Sequence, residues 1–383
     1  MTEMVAPNPA LPMDERVAAA PPTTEAAIKA KAAAVDRLSY PGPVRAYAMS
    51  IVVLIHVASV LAPHYNTISQ ADWWASNAYH AFSKGGPPIF TLVSGLLLLS
   101  VPASQPIGVF FRKRFLKVLI PFIFWAFVYL AWRIFFLNEV LGLPEIAHSF
   151  LDGPVYYHMW FIQMILGLYL ATPILRVYVQ NASRNNIRYF LLVWFIGVTV
   201  LPTITYFTKT DIGIDLVVTT SYVGYFVMGY YLRDFSLSKR QLLPCLLIVV
   251  GTMLFTEVGS YLLMINQGGQ FDPLLFNNLG FNMVIISVGL FLFLKSVPWD
   301  VLFAKLPLLG WAINLLAVCS LGVYFVHVLI MELLASGRLG FTLDWLTFGA
   351  IIGIPLTAFV VLVLSVAATW IIKQIPGLRI VVP

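Results

Sequence analysis

The chain reads as an all-α, polytopic transmembrane helical bundle of about ten helices, with both termini in the cytoplasm. Three observations predict this. Of 383 residues, 60% are hydrophobic and only 10% charged, whereas soluble domains run near 25% charged. Mean hydropathy is +0.87, more apolar surface than a soluble fold of this length can hide, so the bilayer is its natural solvent. The apolar residues also come in runs of about 20, the length that crosses the hydrocarbon, with Lys and Arg gathered at alternate ends.

Taken in order, the apolar runs predict helices over 44–63, 86–101, 116–137, 158–179, 189–206, 217–232, 242–264, 278–297, 314–334 and 347–372. The second and sixth are short. Ahead of them, residues 1–43 are rich in Ala and Pro with mixed charges. They lack the apolar core of a cleavable signal peptide and read as a largely disordered cytoplasmic tail, in which Thr24 to Val35 could lie as a short helix on the membrane surface. Residues 44–375 form the transmembrane domain, and 376–383 a cytoplasmic C-terminal tail.

Orientation follows from charge. Arg37 and Arg45, then Arg112, Lys113, Arg114 and Lys117, fall on one side. So do Arg184, Arg188, Arg233, Lys239, Arg240, Lys295, Lys305, Lys373 and Arg379. The loops opposite hold Lys84, Lys209 and Arg338. That bias puts the first side in the cytoplasm and asks for an even number of helices. The outer loops, 64–85 and 138–157, carry His64, Asp72, Trp73, Trp74, Tyr79, His80, Glu139, Glu145, His148, Asp152, Tyr156 and Tyr157. Their aromatics suit either a membrane interface or the apolar face of a sugar ring.

The net charge of +6 would suit nucleic acid, but basic residues placed at the ends of apolar runs point to topology instead. Cys245 and Cys319 sit within apolar runs and read as small hydrophobes. Neither a disulfide framework nor metal-ligand spacing is present, so no metal is expected.

The first helix carries the sharpest chemical signal. Arg45 and His56 are eleven residues apart, about three turns, so they share one face about 16 Å apart along the axis. An ionisable group within an apolar span is costly and marks a functional site by default. A desolvated imidazole stays neutral and can take a proton from a sugar hydroxyl. The plainer alternatives are a helix-packing hydrogen bond for His56 and a snorkelling anchor for Arg45.

The stretch from Arg45 to His56 resembles the R-x10-H signature of the acyltransferase-3 family of integral membrane acyltransferases. Further pieces resemble that family's elements in order. They are Gly86-Pro87-Pro88-Ile89-Phe90 through Ser94-Gly95, Lys113-Arg114-Phe115-Leu116-Lys117 with Pro121, and His158-Met159-Trp160-Phe161 with Tyr169 and Pro173. Tyr225 to Tyr230 with Gly229, and Gly322-Val323-Tyr324-Phe325-Val326-His327, complete the series. The resemblance runs from about residue 37 to about 372. Family members often carry an acidic residue just before the arginine, where this chain has Gly42, and an aromatic after the Ser-Gly pair, where it has Leu96.

The resemblance implies transfer of an acyl group, acetyl by default, from cytoplasmic acyl-CoA to a hydroxyl of a surface polysaccharide or glycan. It implies a bacterial inner membrane and no bound cofactor, with acyl-CoA as co-substrate. Arg112, Lys113, Arg114 and Lys117 would meet the phosphates of CoA or anionic lipid. His56 and Arg45 would be catalytic. His158 and Trp160 would line the acceptor's path or an interfacial belt. Tyr324 and His327, with Glu332, would join the site or a packing network. Partners are the bilayer, acyl-CoA, the carbohydrate acceptor and a polysaccharide synthesis or export complex. The competing readings are a secondary transporter, for which no repeat is evident, and a catalytically inactive relative that binds glycan or protein.

Overall fold

The computed structural model describes residues 39–151, 153–210, 212 and 221–383. The N-terminal tail up to residue 38, including the surface helix expected from Thr24 to Val35, and the first residues of the sixth expected helix lie outside the described residues. Among the described residues every regular element is helical, and nine segments are long and apolar enough to cross a membrane.

Helix α1 (Pro41–Ala58) begins with prolines in its first turn, where the missing N–H costs nothing, and runs on through a 3-10 segment to His64. α2 (Gln70–Ser83) and α3 (Gly86–Leu99) descend antiparallel to it. Ser76 Oγ donates to Ala58 O at 2.8 Å, and Trp73 Nε1 to Ala62 O at 3.1 Å. Residues 70–83 were expected in an outer loop. They are helical because Ser69 caps the Asp72 N–H and because Trp73, Ser76, Asn77, His80 and Ser83, recurring at helical spacing, form a buried face.

α4 (Ile107–Phe135) starts nine residues before its expected boundary. The basic stretch is therefore helical, as long cationic side chains allow when they lie along a helix toward the headgroups. A short α5 (Leu143–Leu151) follows in the connection to the next long helix, and Arg133 reaches Glu139 at 2.8 Å there. α6 (Trp160–Asn181) begins just after His158. α7 (Arg184–Phe195) passes through a π-helical turn, Ile196–Val200, into α8 (Leu201–Thr208), which has proline in its first turn.

α9 (Val223–Tyr231) is the described part of the sixth expected helix. It starts near Trp194, whose Nε1 donates to Ser221 O at 2.9 Å. It ends where Arg188 Nε donates to Tyr231 Oη at 2.7 Å, beside the start of α7. It therefore returns toward the end from which α7 departs. Its backbone lies directly on α3: a Cβ on Gly95 would sit 1.8 Å from Phe226 O, and one on Gly229 would sit 1.9 Å from Leu92 O. Two elements of the family-like pattern, Ser94-Gly95 and Gly229, are thus one contact that only glycine permits.

α10 (Lys239–Asn266) opens with a capping box between Ser238 and Gln241. α11 (Phe281–Lys295), α12 (Trp299–Lys305), α13 (Pro307–Ala335) and α14 (Ala350–Gln374) complete the bundle. Lys295 Nζ donates to the carbonyls of Leu232, Arg233 and Phe235, so the basic ends of α7, α9 and α11 meet at one end of the bundle. The C-terminal residues turn back against α4, where Trp125 Nε1 donates to Val381 O at 2.9 Å.

α1 is central. It packs against α2, α3, α13 and α14, and 61% of its most apolar window is buried, against 11% for the peripheral α10. The helix with the chemical signal is therefore one of the two most buried of these spans, second only to the α2–α3 span at 67%.

Candidate active site

Three imidazoles converge from separate parts of the chain: His56 on α1, His158 in the turn before α6, and His327 on α13. Ring centroids are 5.1 Å apart for His56 and His327, 6.2 Å for His56 and His158, and 5.4 Å for His158 and His327. His158 and His327 are buried at 1% and 0% exposure. His56 retains partial exposure, and it lines a cavity of about 80 Å³. The ring thus faces a protein cavity.

Each ring is held differently. His327 Nδ1 lies 2.8 Å from Tyr324 O and 3.0 Å from Val323 O. Carbonyls only accept, so the proton sits on Nδ1 and Nε2 is left as a free acceptor. That Nε2 has no partner. Both ring nitrogens of His158 lack partners too. Its ring is fixed by packing against Tyr129 at 4.8 Å and Tyr324 at 5.4 Å, and its carbonyl accepts from Tyr324 Oη. Tyr157 edges onto His56 at 5.4 Å.

A second cavity, of about 160 Å³, lies toward the start of α1 and is lined by Arg45, Ser94, Val118 and Tyr169 among others. Phe90, Phe161 and Tyr324 line both cavities, so the two abut across three aromatic side chains. Arg45 Nη2 donates to Ala317 O at 2.7 Å, while its buried Nε has no partner. The eleven-residue spacing on α1 thus becomes two adjacent stations, guanidinium in one cavity and imidazole in the next.

Trp160 lines the His56 cavity, and Tyr324 lines both. Arg112, Lys113, Arg114 and Lys117 line neither. Arg112, Lys113 and Lys117 are exposed on the first turns of α4. Val118, the next residue along, lines the Arg45 cavity, so the cluster borders that cavity from outside. Glu332 does not join His327. Five residues further along α13 it points elsewhere and accepts from Trp132 Nε1 at 2.7 Å and Tyr156 Oη at 2.6 Å.

Sequence reasoning missed several lining residues. Lys84 and Asn278 share the His56 cavity with Phe90 and Phe161. Lys84 immediately precedes the Gly-Gly-Pro-Pro stretch of α3, and that adjacency was the available signal. Asn278 carried none. His80 is buried and stacks on Phe276 at 3.9 Å. His64 faces Val60 O at 3.0 Å. Among the described residues no group of three or more His, Cys, Asp or Glu side chains is arranged to hold a metal ion.

A larger cavity, about 720 Å³, lies elsewhere, between α8, α10 and the start of α11. Phe276 and Asn277 form part of its wall, and Phe276 stacks on His80.

No curated protein and no solved structure is matched by the chain. A family model described as an acyltransferase domain matches residues 43–373. That span takes in Arg45, all three imidazoles and every lining residue of both abutting cavities. The chain is an integral multi-pass membrane protein and belongs to the acyltransferase-3 family.

Proposed function

We propose that this acyltransferase moves a short acyl group, acetyl by default, from acyl-CoA to a hydroxyl of a cell-surface polysaccharide or glycan, with His56 as general base. The observation that carries this reading is the imidazole of His56 in a small cavity that abuts the one lined by Arg45.

Size supports a short acyl group. At roughly 10–15 Å³ for each water-sized group, the 80 Å³ around His56 suits an acetyl thioester with the attacking hydroxyl. A whole sugar ring is too large for it, so the acceptor reaches in with one hydroxyl while its body stays outside. Trp160 and His158, at the start of α6, are the side chains this acceptor would meet.

In the proposed reaction, the acceptor hydroxyl gives its proton to His56 as its oxygen attacks the thioester carbonyl. The tetrahedral centre collapses and expels the CoA thiolate, which takes the proton back from the imidazolium. His327, with its Nδ1 proton pinned to two carbonyls, holds the neighbouring ring position. Arg45, with one free N–H, binds an anionic group of the donor. Arg112, Lys113, Arg114 and Lys117 attract the CoA phosphates to the cavity mouth.

Both termini lie in the cytoplasm of a bacterial inner membrane on this reading. The gathering of basic residues at one end of α7, α9 and α11 supports it. A polysaccharide synthesis or export complex would supply the acceptor. The test is reconstitution of the purified protein in lipid nanodiscs with acetyl-CoA and a panel of glycans. Release of free CoA thiol together with an acetylated glycan by mass spectrometry is expected. Transport of either compound in proteoliposomes without thioester cleavage would overturn the reading.

A further inference from the structure

Lys84 lies at the break between α2 and α3, its backbone N–H donating to His80 O as the cap of α2. Its side chain lines the His56 cavity and lies within electrostatic reach of both His56 and His80. Among the described residues no hydrogen bond or ion pair engages its amine. The cavity lining holds no carboxylate. A cation kept beside a reaction cavity with no counter-charge is costly, and that cost is offset when a negative charge forms there.

Acyl transfer creates such a charge. We propose that Lys84 is a catalytic residue that donates to the carbonyl oxygen of the acyl group as that oxygen becomes an oxyanion. The inference rests on the reading of His56 as the base. As the acceptor oxygen bonds to the carbonyl carbon, the C=O π pair moves onto oxygen and Lys84 stabilises it. When the pair returns, the C–S bond breaks and the thiolate leaves with the proton held by His56. Lys84 keeps its own protons throughout. The small volume favours this role over salt-bridging an anionic sugar, because the cavity holds the reacting atoms and little else. A donor aimed at developing charge in a site of low dielectric acts mainly on kcat.

The experiment uses full-length protein in nanodiscs, with Cys245→Ser and Cys319→Ala introduced so that a new thiol is unique. Lys84→Met should lower kcat for CoA release by about 10²–10³-fold, with KM for acetyl-CoA little changed. Lys84→Cys should be as poor, and alkylating it with 2-bromoethylamine, which rebuilds an amine of nearly lysine length, should recover at least about tenfold in the same folded sample. His56→Gln is measured alongside. Retained kcat in Lys84→Met, an effect confined to acceptor KM, or no recovery after alkylation verified by intact mass would overturn the assignment of Lys84 while leaving His56 in place. Full turnover in His56→Gln would overturn the underlying reading and Lys84's role with it.

Discussion

Two cavities in this bundle treat their polar groups in opposite ways. In the large cavity beside α8 and α10 most of the buried polar side chains find partners in one another or in the backbone. Asp272 accepts from Tyr206, from Gln267 and from Leu274 N. Thr199 Oγ1 donates to Leu279 O, and Asn282 Nδ2 donates to both Thr256 and Leu275, leaving only its Oδ1 unpartnered. Around the cavity of His56, one ninth the size, both nitrogens of His158, Nε2 of His327 and Oδ1 of Asn278 have no partner. Each buried orphan costs about 1–3 kcal/mol. Volume alone would point to the larger cavity. Unspent hydrogen-bonding capacity points to the smaller one, where the proposed reaction would use it.

Substitutions in the two cavities should therefore divide cleanly between turnover and stability. Apart from His56 and Lys84, the largest effect should come from His327→Ala. Loss of a ring 5.1 Å from His56 is expected to cut acyl transfer by about 10²-fold or more, read as CoA thiol release. A full-rate variant would break the comparison. In the large cavity, Asp272→Asn replaces one of the two oxygens that together serve three donors with an N–H₂ donor. It should cost about 2 kcal/mol of stability, seen in thermal unfolding, and leave turnover unchanged; a lost turnover would make that cavity part of the site.

Smaller effects sharpen the distinction along the donor's path. Arg45→Met should raise KM for acetyl-CoA about tenfold, equivalent to about 1.4 kcal/mol, with less change in kcat. The exposed pair on α4 acts through solvent, so Arg112→Gln with Lys113→Gln should raise that KM only about twofold at low salt and not measurably at high salt. A large, salt-insensitive effect would move those side chains into the site.

Much of this was legible from residues. Arg45 and His56 announce themselves because ionisable groups in an apolar helix are rare, and Tyr324 and His327 do the same on α13. Their meeting with His158 was not legible, because it depends on how α1, α6 and α13 pack. Lys84 was hidden by a false loop boundary: charge bias alone set it on the outer side, whereas the capped α2 brings it against α1. Glu332 takes the packing alternative, but with Trp132 and Tyr156 rather than with His327, because five residues turn it to another face of the same helix. The pairing of Gly95 with Gly229 was likewise invisible as a contact, although both glycines stood within recognisable elements.

The most direct measurement is acyl-CoA thiol release by wild-type protein and His56→Gln, purified and reconstituted in the same nanodiscs, with unfolding temperature recorded for each. General-base catalysis by His56 requires a loss of about 10²–10⁴-fold at an unchanged unfolding temperature. Turnover within about twofold of wild type, well below the smallest loss expected of an acid–base group, would contradict it.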